Sequence, residues 1–243
     1  MDKSKGFWLI HSIPKFARTP TAHYEYPDSG RDNGQTALCI SIKTDEEGAD
    51  IVKQLKHLTP NIYSHSETEE VLKKIPEFED LGNKKFAKKG ESQESVGEIT
   101  TSSGGTNFIS FARTKLAAAA GDLYSIMVAP HLKNNMIVET WRRGAGSPLD
   151  SNCKDKFQVS NVNEMLINFS SDSPLSNSGV WPYARDHSKW AMSQDPKSPY
   201  VCIGDINRMK SQFKRAGGTV CVKDQSIWKV FNDAVHDIEA CKA

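Results

Sequence analysis

Apolar and polar positions fall into short runs of strand length and a few stripes of helical period, and together they set the expected order of elements. The run "GFWLIHSIP" at 6–14 is apolar and aromatic, and Pro14 ends it after too few residues for a helix, which predicts a buried strand. From Tyr26, "YPDSGRDNGQT" carries the Pro, Asp, Gly and Asn that turns need, and "ALCISI" from Ala37 resumes as a strand. Thr44 and Glu47 form a capping box, so a helix begins there and runs to about His57. Residues 76–105 are polar and glycine-dotted and read as a long surface excursion with one short strand. "GDLYSIMVAPHL" is helical up to Pro130, and "NMIVETW" alternates as a half-buried strand does. After a serine-rich loop at 170–179 come two strands, "HSKWAM" and "YVCIGDI", then a glycine turn and "GTVCV". A last helix, from about Gln225 to Cys241, puts Ile227, Val230, Phe231, Ala234, Val235 and Ile238 on one stripe. Strands alternating with helices predict an α/β or mixed α+β fold without an internal repeat. A chain of 243 residues is long enough for one large domain or two small ones.

Charge and cysteines narrow the classes. A formal net charge of +1 excludes nucleic-acid binding by bulk positive charge, though not by a local basic groove. Protonating all seven histidines would carry the net to about +8, so anion affinity is expected to rise in acid. The apolar runs are too short to span a bilayer, and no charged leader opens the chain. The five cysteines, Cys39, Cys153, Cys202, Cys221 and Cys241, form no CxxC pair and no zinc spacing with histidine. Disulfides are preferred over buried free thiols, with one thiol left over. A sequon at Asn168 permits glycosylation. Cysteines without a leader suggest a chain lacking its beginning.

The candidate chemistry centres on "DHSKW". Residues two apart on a strand share a face, so His187 and Lys189 can converge on one anion while Ser188 points away. The neighbouring "CIGDINR" offers Asp205 and Asn207 on one face and Arg208 at its exit, groups able to hold a phosphate or orient an imidazole. Histidine can attack phosphorus or protonate a leaving oxygen, and lysine can stabilise the equatorial oxygens, so no cofactor or metal is required. A partly exposed strand histidine without function is the plainer alternative. A second HxK, His131 to Lys133, follows Pro130 at a helix end and reads as surface. His11 is a second candidate because it ends an apolar strand, with a hydrogen-bonded core histidine as its alternative. Surface roles suffice for His23, His57, His65 and His236. Arg142, Arg143, Arg185, Lys189, Arg208, Lys210, Lys214 and Arg215 flank these strands and would line a DNA groove or simply be solvated.

"GFWLIHSIPKF", "GQTALCIS", "DLYSIMVA", "DHSKW", "CIGDINR" and "GGTVC", in this order over roughly residues 6–241, resemble the deoxyribonuclease II family. The resemblance implies a phospholipase D-like fold of two halves, each giving an HxK to one site that cuts DNA without metal and leaves 3′-phosphate ends. It implies that His187 and Lys189 are the second HxK, that Asp205 and Asn207 support it, and that His11 is the histidine of the "HS.P" motif. It also implies disulfides Cys153–Cys241 and Cys202–Cys221, and a partner for Cys39 nearer the N-terminus. The family's first HxK lies upstream of Gly6 and is absent here. Asp28 stands where some relatives carry histidine, and Ala191 replaces a frequent cysteine.

The resulting expectation is an acid endonuclease in which His187 serves as general acid. Residues 1–115 would be the remainder of the first half, and residues 116–243 the second. DNA is the expected partner, a homodimer joining two His187 sites would complete a site, and the complete protein would be lysosomal or secreted. The alternatives are a non-catalytic DNA-binding or decoy member with a lone HxK, a phosphodiesterase acting on a lipid or other non-DNA ester, and a secreted structural or immune-modulating protein.

Overall fold

The computed structural model describes residues 5–14, 26–66, 68–101, 105–168 and 178–241. His23 and most of the serine-rich loop lie outside them. Two antiparallel strands, β1 (Lys5–His11) and β2 (Ala37–Lys43), form a separate hairpin and lead into helix α1 (Thr44–Leu58). Short helices α2 (Glu69–Lys74) and α3 (Glu77–Gly82) follow, then strands β3 (Glu94–Thr100) and β4 (Asn107–Arg113) and a short α4 (Lys115–Ala118). A π-helical turn, Tyr124–Val128, runs into α5 (Ala129–Leu132). Next come β5 (Met136–Thr140), β6 (Val159–Asn168), β7 (Ser178–Pro182), β8 (Lys189–Ser193), β9 (Tyr200–Gly204), β10 (Gly217–Lys223), α6 (Gln225–Ala234) and β11 (Val235–Ile238). Among the described residues β3 to β11 make one mixed sheet in the order β11-β6-β5-β8-β9-β10-β4-β3, with β7 also paired to β6. The fold is mixed α/β, as the alternation of periods predicts.

The expected buried strand at 6–14 is buried on one face only. Trp8 and Ile10 face inward and pack on Ile40, Ile99, Phe108 and Val220, while Phe7 stays 66% exposed. This apolar seam holds the hairpin against the large sheet, each fully buried Ile or Val being worth about 1.5–3 kcal/mol. Conversely, β5 is buried along its whole length rather than alternating. It is a central strand covered on both faces: Met136 and Val138 pack with Leu123, Tyr124 and Val128 on one side, and Ile137 with Trp190 and Trp228 on the other. The segment before Pro130 is helical but does not stop there, because Pro130 falls in the first turn of α5, where a missing N–H costs little.

The last predicted helix ends seven residues early. Trp228, Phe231 and Ala234 turn to the core, with Trp228 Nε1 donating to Ser193 O at 2.7 Å, while Val230 is 67% exposed. Val235 and Ile238 keep facing the core as strand β11, which pairs with Met165 and Val162 of β6. Two residues three apart share the core side here because the β11 register shifts between Val235 and Asp237 and again before Ile238. At α1 the cap is displaced: Glu47 Oε2 accepts from Lys43 N at 2.8 Å, and Lys43, not Thr44, is the capping residue. His57 is buried rather than superficial, with its ring nitrogens 2.9 Å from Lys53 O and 3.1 Å from Ser92 O.

Disulfides join Cys153 to Cys241 and Cys202 to Cys221, leaving Cys39 exposed and free among the described residues. Asn168 is exposed at the end of β6. Among the described residues no helix is long and apolar enough to cross a membrane.

Candidate active site

β8 opens at Lys189, and His187 stands two residues ahead of the strand rather than within it. The two side chains still meet: Lys189 Nζ lies 3.3 Å from His187 Nδ1 and donates to His187 O at 2.5 Å. What fixes them is a clamp from the segment before β2. Gly34 N donates to Arg185 O at 3.0 Å, and His187 N donates to Gly34 O at 2.8 Å. Glycine is needed there because a Cβ would lie 2.9 Å from Asp186 Oδ2. That carboxylate cannot easily yield, since it accepts from Ser188 N at 2.7 Å and Trp181 Nε1 at 3.1 Å. His187 Nδ1 lies 2.9 Å from Ser12 O and 3.3 Å from Gln35 Oε1, and the Trp141 ring packs 5.2 Å from the imidazole. The residues after β1 and before β2 thus hold the histidine that precedes β8.

Burial, and then the charge of Lys189, push the His187 pKa down to about 4 against the opposing pulls of Ser12 O and Asp186. Burial and Arg215 bring Lys189 to about 7, with Asp205, Asp186 and Glu139 opposing. Behind them on β5, fully buried Glu139 is pushed up to about 9 by burial and by Asp186, and neither of its oxygens has a hydrogen-bond partner among the described residues. Because the folded pKa of His187 lies below the unfolded value near 6.5, the unfolded chain binds more protons between about pH 6.5 and 4, and stability falls as pH falls through that window. His187→Ala is therefore expected to narrow the loss of melting temperature between pH 7 and pH 4.5. An unchanged difference would show that the imidazole is not held neutral.

Asp205 and Asn207 lie beyond the end of β9, not on it. Asp205 Oδ1 accepts from Gly218 N at 2.8 Å and Oδ2 faces Arg215 at 3.4 Å; burial raises its pKa, with Arg215 opposing. Asn207 is half-buried, and its Oδ1 has no partner among the described residues. His11, at the end of β1, lines a cavity of about 310 Å³ together with Asp205, Trp8, Phe111 and Thr219, and burial lowers its pKa. Arg208, expected at the exit of the strand as a group to hold a phosphate or orient an imidazole, points into the protein. Its side chain is 2% exposed and committed inward, with Nε to Asp122 Oδ2 at 3.1 Å, Nη1 to Asn161 Oδ1 and Nη2 to Asp150 O at 3.2 Å, so it braces the loop that carries Asp205 and Asn207. His131 packs edge-on against Phe111 at 5.2 Å, on a different element from His187.

Ser12, Gly34, Gln35 and Glu139 are absent from the sequence reading. Gly34 and Gln35 fell in a stretch read only as a turn, and Glu139 looked like the polar partner in an alternating strand.

The chain matches the profile of the deoxyribonuclease II family over residues 1–241. It is 41% identical to Deoxyribonuclease-2 of Caenorhabditis elegans over 95% of this chain and 57% of that protein. It is 34% identical to Plancitoxin-1 of Acanthaster planci over 99% of this chain and 63% of the relative. With Deoxyribonuclease-2-alpha of Mus musculus it shares 36% identity over 99% and 65%. The chain thus spans about three fifths of the length of these relatives. A profile match over nearly every residue, with relatives above 30% identity across the whole described fold, means that the chain belongs to the deoxyribonuclease II family.

Proposed function

We propose that this chain carries one half of a phosphodiester-cleaving site that acts on DNA in acid, without a metal, through histidine phosphoryl transfer. The observation that carries the reading is the His187–Lys189 pair, an imidazole and an ammonium within 3.3 Å at the mouth of β8. In this reading Nε2 of His187 attacks phosphorus as the P–O5′ bond breaks, and a second acid gives its proton to the leaving 5′ oxygen. Water then takes the phosphoryl group from nitrogen and leaves a 3′-phosphate. Lys189 and Asn207 would hold the phosphate oxygens, with Asp205 and His11 beside them.

The nucleophile role replaces the general-acid role expected from sequence. What supports it is the contact of Nδ1 with Ser12 O, which leaves the lone pair on Nε2, and the low pKa, which keeps the imidazole neutral at rest. Acid favours DNA binding through Lys189, whose pKa of about 7 means that its charge is complete below neutrality and is lost as pH rises through that value. Two phospholipase D-like halves, glycosylation at Asn168, pairing through a homodimer and a lysosomal or secreted location complete the proposal.

Plasmid nicking in EDTA from pH 4.5 to 7.5 tests it. This chain would be compared with a form lengthened at its N-terminus by a segment carrying the family's first HxK, each with and without His187→Ala. The lengthened form is expected to cut in acid and lose cutting with His187→Ala. If neither form cuts but both retard DNA in acid, the non-catalytic reading takes its place. Cleavage that survives His187→Ala would remove the histidine mechanism.

A further inference from the structure

We infer that Gln35 is a positioning residue that sets which nitrogen of His187 carries the proton. Thr36 N can only donate, and it lies 2.9 Å from Ser12 Oγ, so that oxygen accepts. The Ser12 hydroxyl then spends its own proton on Gln35 Oε1, 2.6 Å away. The carbonyl end of the Gln35 amide is thereby turned toward Ser12, and the same oxygen lies 3.3 Å from His187 Nδ1. The opposite amide orientation would aim an N–H at that nitrogen, which already needs a proton to bond Ser12 O at 2.9 Å. Two acceptors therefore meet Nδ1, and both require it to be N–H. Lys189 Nζ donates one of its three protons to His187 O at 2.5 Å, and at 3.3 Å from the same nitrogen it is the donor that the two acceptors, the nearer at 2.9 Å, compete against. The chain of donors ends at a ring whose Nε2 keeps its lone pair.

Gln35 rather than Ser12 O is the adjustable member, because the carbonyl is backbone. Gln35 Nε2 is buried and has no hydrogen-bond partner among the described residues. An amide kept there with its donor unpaired costs stability, as buried unsatisfied donors do, while its oxygen serves Ser12 and His187. The charged groups facing His187 are Lys189 and Asp186. Neither is an acceptor to Nδ1 in the structure, and Lys189 Nζ, a donor 3.3 Å away that would favour a bare Nδ1, is opposed by Ser12 O and Gln35 Oε1. The functional meaning of this role rests on the reading of His187 as the reacting imidazole. The role itself is a property of the ring and can be measured on the full chain without DNA.

The test is ¹⁵N–¹H correlation of histidine ring nitrogens, titrated from pH 3.5 to 8, on the unmodified chain, Gln35→Leu and Gln35→Glu, with His187→Ala assigning the signal. The unmodified chain is expected to show His187 with protonated Nδ1 and bare Nε2. Gln35→Leu should raise the population of the Nε2–H tautomer several-fold while the other ring signals stay in place. Gln35→Glu keeps the acceptor and adds an anion, so the tautomer should hold and the midpoint should rise by about one unit or more. An Nε2–H ring in the unmodified chain would overturn the inference, as would a Gln35→Leu spectrum identical to it. If Gln35→Leu does not fold, Gln35→Glu decides, and an unmoved midpoint would reject the role. Cleavage assays play no part in these outcomes, so a failure of the nuclease reading leaves them intact and distinguishable.

Discussion

Replacing Cys153 and Cys241 together with alanine is expected to lower the free energy of unfolding by about 4–5 kcal/mol, the loop-closure value for a link of this span. The bond joins residues 88 apart, against 19 for Cys202–Cys221, for which the same relation gives about 3 kcal/mol. The longer link ties down the chain end that carries β11, and it does so beside a polar knot. Glu239 Oε2 accepts from Ser151 N at 2.8 Å, Ser151 Oγ at 3.0 Å and Asn161 Nδ2 at 2.6 Å, and faces Arg142 at 3.8 Å. These bonds lower the Glu239 pKa against the opposing effect of burial. A total stability of about 5–15 kcal/mol is usual for a domain, so the loss would be a large share of it. Urea titration of the oxidised double variant measures the change, and hydrogen exchange should show the amides of β11 opening first. A variant within 1 kcal/mol of the parent, a margin well below the loop-closure value, would mean that Glu239 and the β6–β11 pairing hold the end without the link.

How far the sequence revealed this molecule depended on whether a feature was local. Strand runs and the start of α1 to within one residue are written in neighbouring residues. The polar stretch at 76–105, expected as a surface excursion with one short strand, instead holds helix α3 and a sheet strand, β3, that bury Leu81 and Ile99 through contacts its own composition does not encode. Val235 and Ile238 were misassigned because an apolar spacing of three suits a helix face, while the free edge of β6, more than sixty residues earlier, drew them into a strand. β5 alternates in type at Glu139, yet coverage on both faces buries it, and no local pattern encodes that coverage. In the site, the "DHSKW" spacing correctly brought His187 and Lys189 together. Their orientation comes from Ser12, Gly34 and Gln35, more than 150 residues away, which only the packing of the hairpin against the sheet delivers.

Arg208→Met is expected to cost about 3–5 kcal/mol, the usual result of breaking a buried ion pair from one side. The guanidinium and Asp122 are 2% and 6% exposed, so neither can be rehydrated in place. Removing the arginine leaves Asp122 with Ser125 N at 3.1 Å and Ser125 Oγ at 3.0 Å but without its 3.1 Å ion pair, only the longer-range pull of Arg113 remaining, and takes a donor from Asn161 Oδ1 and from Asp150 O. A second change separates charge from packing. Asp122→Asn in the Arg208→Met background removes the stranded charge and should recover part of the loss, whereas Asp122→Asn alone should destabilise the parent. The consequence reaches the site, because Arg208 N donates to Thr140 Oγ1 at 3.0 Å and its neighbours Asp205 and Asn207 belong to the same loop. Denaturant midpoints of the four proteins give the coupling. If Arg208→Met costs under 1 kcal/mol, well short of a buried pair broken from one side, the residue is not the brace described here, and a role toward a phosphate would have to be reconsidered. If the cost appears and Asp122→Asn offsets it, the loop that carries Asp205 and Asn207 is held from below by the buried Arg208–Asp122 pair.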